Sequence, residues 1–394
     1  MIMPLAANII VDAAPLVLDF GVVLLAAATL GYLARKIGLP AIVGYLVTGL
    51  AVSPFTPGYT ADSGQLSLLA EIGVVLLLFE VGIEINLPKI GREQKALLWG
   101  SPLQLLIGML IGTPVFLLLD VPMFGALLLA LAIAMSSSVV IVNITRSGRR
   151  TTDVATEEAL LAWSVLQDIV GVAIASLILV FFGNDERSLP VALGGLIGFA
   201  LMAYISARLL PSLLRRVRAT PDLFLIYSVA IGLVLAALGA IVFGIPMALA
   251  AFVAGLAIHS GEDTDEVRRV LLPFRDLFAV LFFVLIGSLI QPSQVLTALP
   301  FTLLLLLLMI VVKTLPTYLI IKFSKIKSRA LQHSIGLSQM GEFSFVLGAA
   351  GLATGAINSQ QFTAILLAVL LSIIGSSVLA RLAVFQTGLA RKNL

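Results

Sequence analysis

Long apolar runs alternate with short polar connections along the whole chain, at approximately 15–34, 39–54, 66–86, 95–119, 123–144, 157–182, 190–214, 222–243, 245–259, 271–290, 297–323, 329–353 and 360–384. Most approach the ~20 apolar residues that a helix needs to cross a bilayer. Within each run the apolar positions are continuous rather than alternating with period two. That predicts helices and argues against a transmembrane barrel, whose strands alternate between lipid and lumen. The pattern therefore predicts an all-α polytopic membrane protein, residues 1–394 forming one transmembrane domain of 13 helices.

Composition sharpens this picture: 60% of residues are hydrophobic and 11% charged, and the charge sits in the connections. Of 24 Lys and Arg, 22 fall in alternate connections: Arg35/Lys36, Lys89 to Lys95, Arg146 to Arg150, Arg208 to Arg218, Arg268 to Arg275, Lys322 to Arg329, and Arg381, Arg391 and Lys392. The opposite face has only Arg187, and Lys313 lies inside a span. Positive residues favour the cytoplasmic side, so the N-terminus is expected outside, the C-terminus in the cytoplasm, and the number of spans odd. The residues after Met1 show no basic segment or cleavage site, which argues against a removable signal peptide. Without cysteine there are no disulfides, thiol switches or thiolate metal sites. The net charge of +3 reflects the loop bias and gives no reason to expect a nucleic-acid partner; the expected surroundings are lipid.

The chain also resembles itself. Gly38-Leu39-Pro40 followed by Val47-Thr48-Gly49-Leu50-Ala51 recurs as Gly244-Ile245-Pro246 followed by Val253-Ala254-Gly255-Leu256-Ala257, a shift of 206. Glu71, Val75, Leu76 and Gly82 recur as Asp276, Val280, Leu281 and Gly287, a shift of 205. This period moves the second run onto the ninth and the third onto the tenth, a step of seven helices, and an odd step reverses direction across the membrane. Two inverted six-helix repeats are predicted, 15–182 and 222–384, joined by a linker helix at 190–214. Secondary transporters are built this way, with the substrate site near the midplane where paired helices are interrupted. Met135-Ser136-Ser137-Ser138 shifts by 205 onto Met340-Gly341-Glu342-Phe343, and both stretches are polar breaks in apolar runs. The serine hydroxyls can either replace lost helical partners or coordinate a cation, and Gly341 permits an unwound backbone.

Few ionisable residues lie within the runs. Asp168, beside Gln167, stands near the middle of 157–182. A carboxylate at that depth costs at least about 2.5–3.5 kcal/mol, so it persists only where the protein supplies water, a partner or an ion. Its neutral neighbour leaves one charge to alternate between a proton and a cation. Lys313 and Glu342 lie at similar depth and read either as a structural ion pair or as ligands, and Glu80 lies on the inner half of its run. His259 and His333 fall at cytoplasmic helix ends, where they read as solvated interfacial residues or as pH sensors; two histidines are too few for a metal site. The cluster Glu262, Asp263, Asp265 and Glu266 reads as a solvated connection.

Five dispersed motifs carry a family resemblance: Leu39 to Leu46 with Gly49; Ala70 to Phe79 with Gly82-Ile83-Glu84; Ser136-Ser137-Ser138; Leu166-Gln167-Asp168-Ile169; and Ser338-Gln339 with Gly341-Glu342-Phe343. In these the chain resembles the monovalent cation:proton antiporter-2 family, particularly its Kef-type potassium:proton members. The resemblance implies thirteen spans of a bacterial inner-membrane protein, crossed broken helices, a dimerisation domain beside a moving ion-carrying core, a homodimer, and cation-for-proton exchange. It carries ion binding onto Asp168, a supporting polar role onto Gln167, and the broken helices onto Ser136 to Ser138 and Ser338 to Glu342. No cofactor is implied beyond the transported K+ or Na+ and H+. The Gln-Asp pair looks like the potassium-handling variant, whereas Glu80 departs from the family's apolar residue. Kef-type chains continue into a nucleotide-binding regulatory domain, whose Gly-x-Gly-x-x-Gly fingerprint is absent from these residues. The alternative is a sodium-coupled organic anion symporter of similar inverted-repeat fold; a channel or a membrane enzyme fits less well, because neither a filter loop nor a catalytic cluster is evident.

Overall fold

A computed structural model describes residues 3–60, 63–84, 95–137, 140–141, 152–182, 189–245, 247–258 and 264–386. Every regular element among them is helical. In chain order they are α1 (Met3–Lys36), α2 (Ala41–Ala51), α3 (Ser63–Glu84), α4 (Lys95–Leu117), α5 (Met123–Ala134), α6 (Val154–Phe182), α7 (Leu189–Val217) and α8 (Pro221–Phe243). There follow α9 (Met247–Ile258), α10 (Thr264–Ser288), α11 (Pro292–Met309), a π-turn (Ile310–Thr314), α12 (Leu315–Phe323), α13 (Ala330–Leu337), α14 (Glu342–Ala353) and α15 (Ser359–Gln386). Among the described residues, each predicted apolar run coincides in large part with one or more of these helices. By length and composition, eight candidate spans among the described residues can cross a membrane, while α2, α5 and 343–353 are shorter apolar helices. Outward-facing side chains are apolar as well, with Leu110, Leu296 and Ile241 at 77%, 77% and 82% exposure. In water such a surface would aggregate, whereas lipid solvates it.

The chain divides into two compact units. The first comprises 1–85 and 192–292. Its centre is α3, which packs along α9 and α10, while α2 packs on α10 and α1. Glycines allow this close approach: a Cβ on Gly49 would collide with the Val284 carbonyl, and one on Gly287 with the Leu46 carbonyl. The second contact has the same form, Gly82 lying against the Phe252 carbonyl and Gly255 against the Phe79 carbonyl. Small residues at such crossings let helix backbones meet, which in lipid supplies much of the association energy. The two helix ends are also alike, since α1 is followed by Gly38 (φ 87°) and α8 by Gly244 (φ 66°), left-handed conformations that favour glycine.

The second unit comprises 86–191 and 293–394. Here α4 packs against α5, α6 and the π-turn, and α14 packs against α5 and α15. Two of its apolar runs are broken. α5 stops at Ala134, with Met135–Ser137 non-helical and helix again at 140–141, and residues 338–341 separate α13 from α14. The π-turn, which places five residues with wider hydrogen bonding inside the run 297–323, had no sequence signal.

Candidate functional site

The candidate site lies within the second unit. Met135 follows α5 in an extended conformation (φ −85°, ψ 148°), so carbonyls of the last turn lose their helical donors. In the other break, Gly341 is extended (φ −105°, ψ −177°) and α14 begins at Glu342. The breaks touch: a Cβ on Gly341 would stand 2.9 Å from Ser136 C and Ser137 N. Side chains then bind the two strands of backbone together. Ser136 Oγ donates to Leu337 O at 2.9 Å, and the Gln339 amide pairs with Ser137 both ways, accepting from its N–H and donating to its carbonyl, each at 3.0 Å. Ser137 Oγ accepts from Val140 N at 3.2 Å, where the helix resumes.

Lys313 closes the crossing. Fully buried, it projects from the π-turn and donates through Nζ to Met135 O at 2.8 Å and Gln339 O at 2.6 Å. Both carbonyls follow the C-terminus of a half-helix, where partial negative charge collects. One Nζ thus serves both ends at once.

Asp168 and Gln167 are buried on α6 beside this crossing. Gly171, three residues beyond Asp168, faces the Met135 side chain, whose Cε and Sδ would lie 2.6 Å from a Cβ there. Residues three apart share a helix face, so α6 turns the Asp168 side toward the break. Gln167 Nε2 donates to Gln104 Oε1 and, at 3.3 Å, to Ala134 O. Gln104 is itself buried and aims its Nε2 at Ala134 O and Val312 O, each at 3.4 Å. Gln167 Oε1 is buried and accepts no hydrogen bond from the described residues. An unfilled buried acceptor beside a carboxylate suits a partly dehydrated monovalent cation, because burying such oxygens without a partner is costly.

The structure brings together Gln167, Ser136, Ser137 and Lys313 around the crossing, with Asp168 the next residue along α6. Of the two roles open to the serines, the hydrogen bonds describe the first: Ser136 and Ser137 replace lost helical partners at the crossing. Ser138, His259 and the Glu342 side chain lie outside the described residues. Glu80 belongs to the first unit, buried on α3. His333 requires a correction: expected as a solvated interfacial residue, it is fully buried, with Nδ1 2.8 Å from Ser328 Oγ and its ring edge-on to Trp163 at 5.2 Å. Its position near a helix end says nothing of the face it occupies, and that face turns inward to α6. Sequence reasoning also missed Gln104. The signal was an amide inside the apolar run 95–119, the same criterion that singled out Asp168, but without a charge to draw attention to it.

A family model described as "Sodium/hydrogen exchanger, transmembrane" matches residues 22–384. Among curated proteins, the chain is 30% identical over 382 residues to the "Putative cation/proton antiporter YbaL" of Escherichia coli (strain K12), covering 93% of this chain and 68% of that protein. Among solved structures, the sodium proton antiporter MjNhaP1 from Methanocaldococcus jannaschii superimposes with a TM-score of 0.71 at 19% identity, covering 94% of this chain and 99% of the other. At that identity the likeness speaks for the fold.

Proposed function

We propose that this chain, which belongs to the sodium/hydrogen exchanger family, exchanges a monovalent cation for a proton across the membrane by alternating access. The observation that carries the reading is that Asp168 and its neighbour Gln167 are both buried on α6 beside the broken helices, with Gln167 Oε1 accepting no hydrogen bond among the described residues. A carboxylate binds either a proton or a cation, and competition between them couples the two fluxes. With Gln167 neutral and Lys313 committed to two carbonyls, one carboxylate exchanges one cation for one proton, so the cycle is electroneutral. Potassium is favoured because the Gln167-Asp168 pair resembles the potassium-handling variant.

The same proposal includes thirteen spans in two inverted repeats. Its support is that Gly49 and Gly82 shift by 206 and 205 onto Gly255 and Gly287, so the Gly49–Gly287 contact is exchanged with the Gly255–Gly82 contact. It also includes a cytoplasmic C-terminus and a homodimer. A cysteine at position 148 labelled from outside intact cells would overturn the orientation, and an active monomer measured by mass in lipid would overturn the dimer.

Proteoliposomes loaded with a pH dye test the function. Potassium is expected to drive the largest proton movement among potassium, rubidium, sodium and lithium, with an end-point indifferent to a clamped membrane potential. A flat dye signal with all four cations would sink the proposal, and a voltage-dependent end-point would show net charge movement.

A further inference from the structure

We infer that Gln104 is a positioning residue that sets which end of the Gln167 amide faces the transported cation, an inference that rests on the cation-exchange reading above. The chain of polarity starts from the backbone. Ala134 O and Val312 O can only accept, and both lie where regular helix bonding ends or changes, one closing α5 and the other inside the π-turn. Gln104 sits between them, so the group it aims at the two carbonyls is its NH2, and the opposite orientation would set three oxygens against one another. Its Oε1 is then the atom left for Gln167, which answers with its own NH2 and adds a bond to Ala134 O at 3.3 Å. Gln167 therefore has its carbonyl end left over, and that is the oxygen without a hydrogen-bond donor among the described residues.

The consequence is chemical. A side-chain amide has a donor end and an acceptor end of nearly equal size, and only the acceptor end attracts a cation. Were the Gln167 amide reversed, its NH2 would face the cation and repel it, while its oxygen met Gln104. Gln104 selects between these states without itself being placed as a ligand. It acts on the site from α4, a helix on which the sequence marks no charge between Lys95 and Asp120.

Two substitutions separate orientation from packing. Gln104→Met keeps length and bulk but offers no comparable acceptor. Gln104→Glu keeps an oxygen that accepts from Gln167 and, in its acid form, a hydroxyl that donates to Ala134 O or Val312 O. A packing role predicts that Met is tolerated and Glu is not; an orienting role predicts the reverse. In proteoliposomes, Gln104→Met is expected to raise the apparent KM for potassium at least ~10-fold with the maximal rate lowered less than ~3-fold, because the cation loses one amide oxygen, and Gln104→Glu is expected to stay within ~3-fold of wild type. Cation-dependent shifts of the thermal unfolding midpoint in detergent, measured with potassium chloride and sodium chloride against choline chloride, supply a readout without transport. There the wild type and Gln104→Glu are expected to be stabilised and Gln104→Met not. A wild type stabilised by neither cation overturns the exchange reading and this inference with it. Equal stabilisation of wild type and Gln104→Met overturns the inference alone, as does a Gln104→Glu variant that fails while Gln104→Met exchanges normally.

Discussion

Asp168→Asn is expected to abolish cation-dependent proton movement while leaving the protein folded. Asparagine keeps the shape of the side chain, so the packing of α6 beside Met135 is preserved. What disappears is the titratable charge on a residue only 1% exposed. A unit charge about 4 Å from a cation contributes ~4 kcal/mol at an effective dielectric of about 20, or roughly three orders of magnitude in affinity. In the proposed exchange Asp168 carries both the proton and the cation, so both halves of the exchange are expected to stop together. Proton flux in dye-loaded proteoliposomes checks the first half of the prediction, and the thermal unfolding midpoint checks the second. Wild-type exchange in this variant would move the coupling to another residue and defeat the mechanism.

Removing the Lys313 donor at the crossing is expected to have the next largest effect, this time on stability. Lys313→Met retains an unbranched apolar stem but leaves Met135 O and Gln339 O without their shared donor. Leaving a buried acceptor without its donor costs about 1–3 kcal/mol. The two losses are not additive, because one Nζ serves both carbonyls. A loss of several kcal/mol is therefore expected, seen as a clear drop in the unfolding midpoint, with transport lost as the crossing loosens. Tryptophan fluorescence suits the measurement because Trp163 is buried in the same unit. An unchanged midpoint would mean that Gln339, Ser136 and Gly341 hold the crossing without Lys313.

Much of this architecture was legible in the chain. Continuous apolar runs have one stable solution in lipid, a helix that satisfies its own backbone, so the all-helical class could be read directly. The two interruptions were legible for the complementary reason: serines and a glycine inside an apolar run mark where the helix has lost its regular bonding. The burial of Asp168 was legible because it stands in the middle of an apolar run, where an ionisable residue is costly and rare.

Tertiary structure decided what depends on rotation about a helix axis and on partners far away in sequence. Depth along a span follows from residue number, but the side of the helix a residue occupies follows from packing. That is why His333, at a helix end, lies against Trp163 rather than in solvent, and why Gln104 meets Gln167, 63 residues away. The partners of Lys313 were equally hidden, since Met135 O and Gln339 O are backbone atoms that every residue possesses. They become distinctive only where two helices break at the same place. The sequence by itself determined which residues are too polar for their surroundings. The structure determined which groups satisfy them, because a hydrogen bond is specified by position and direction in three dimensions and neither is written in one.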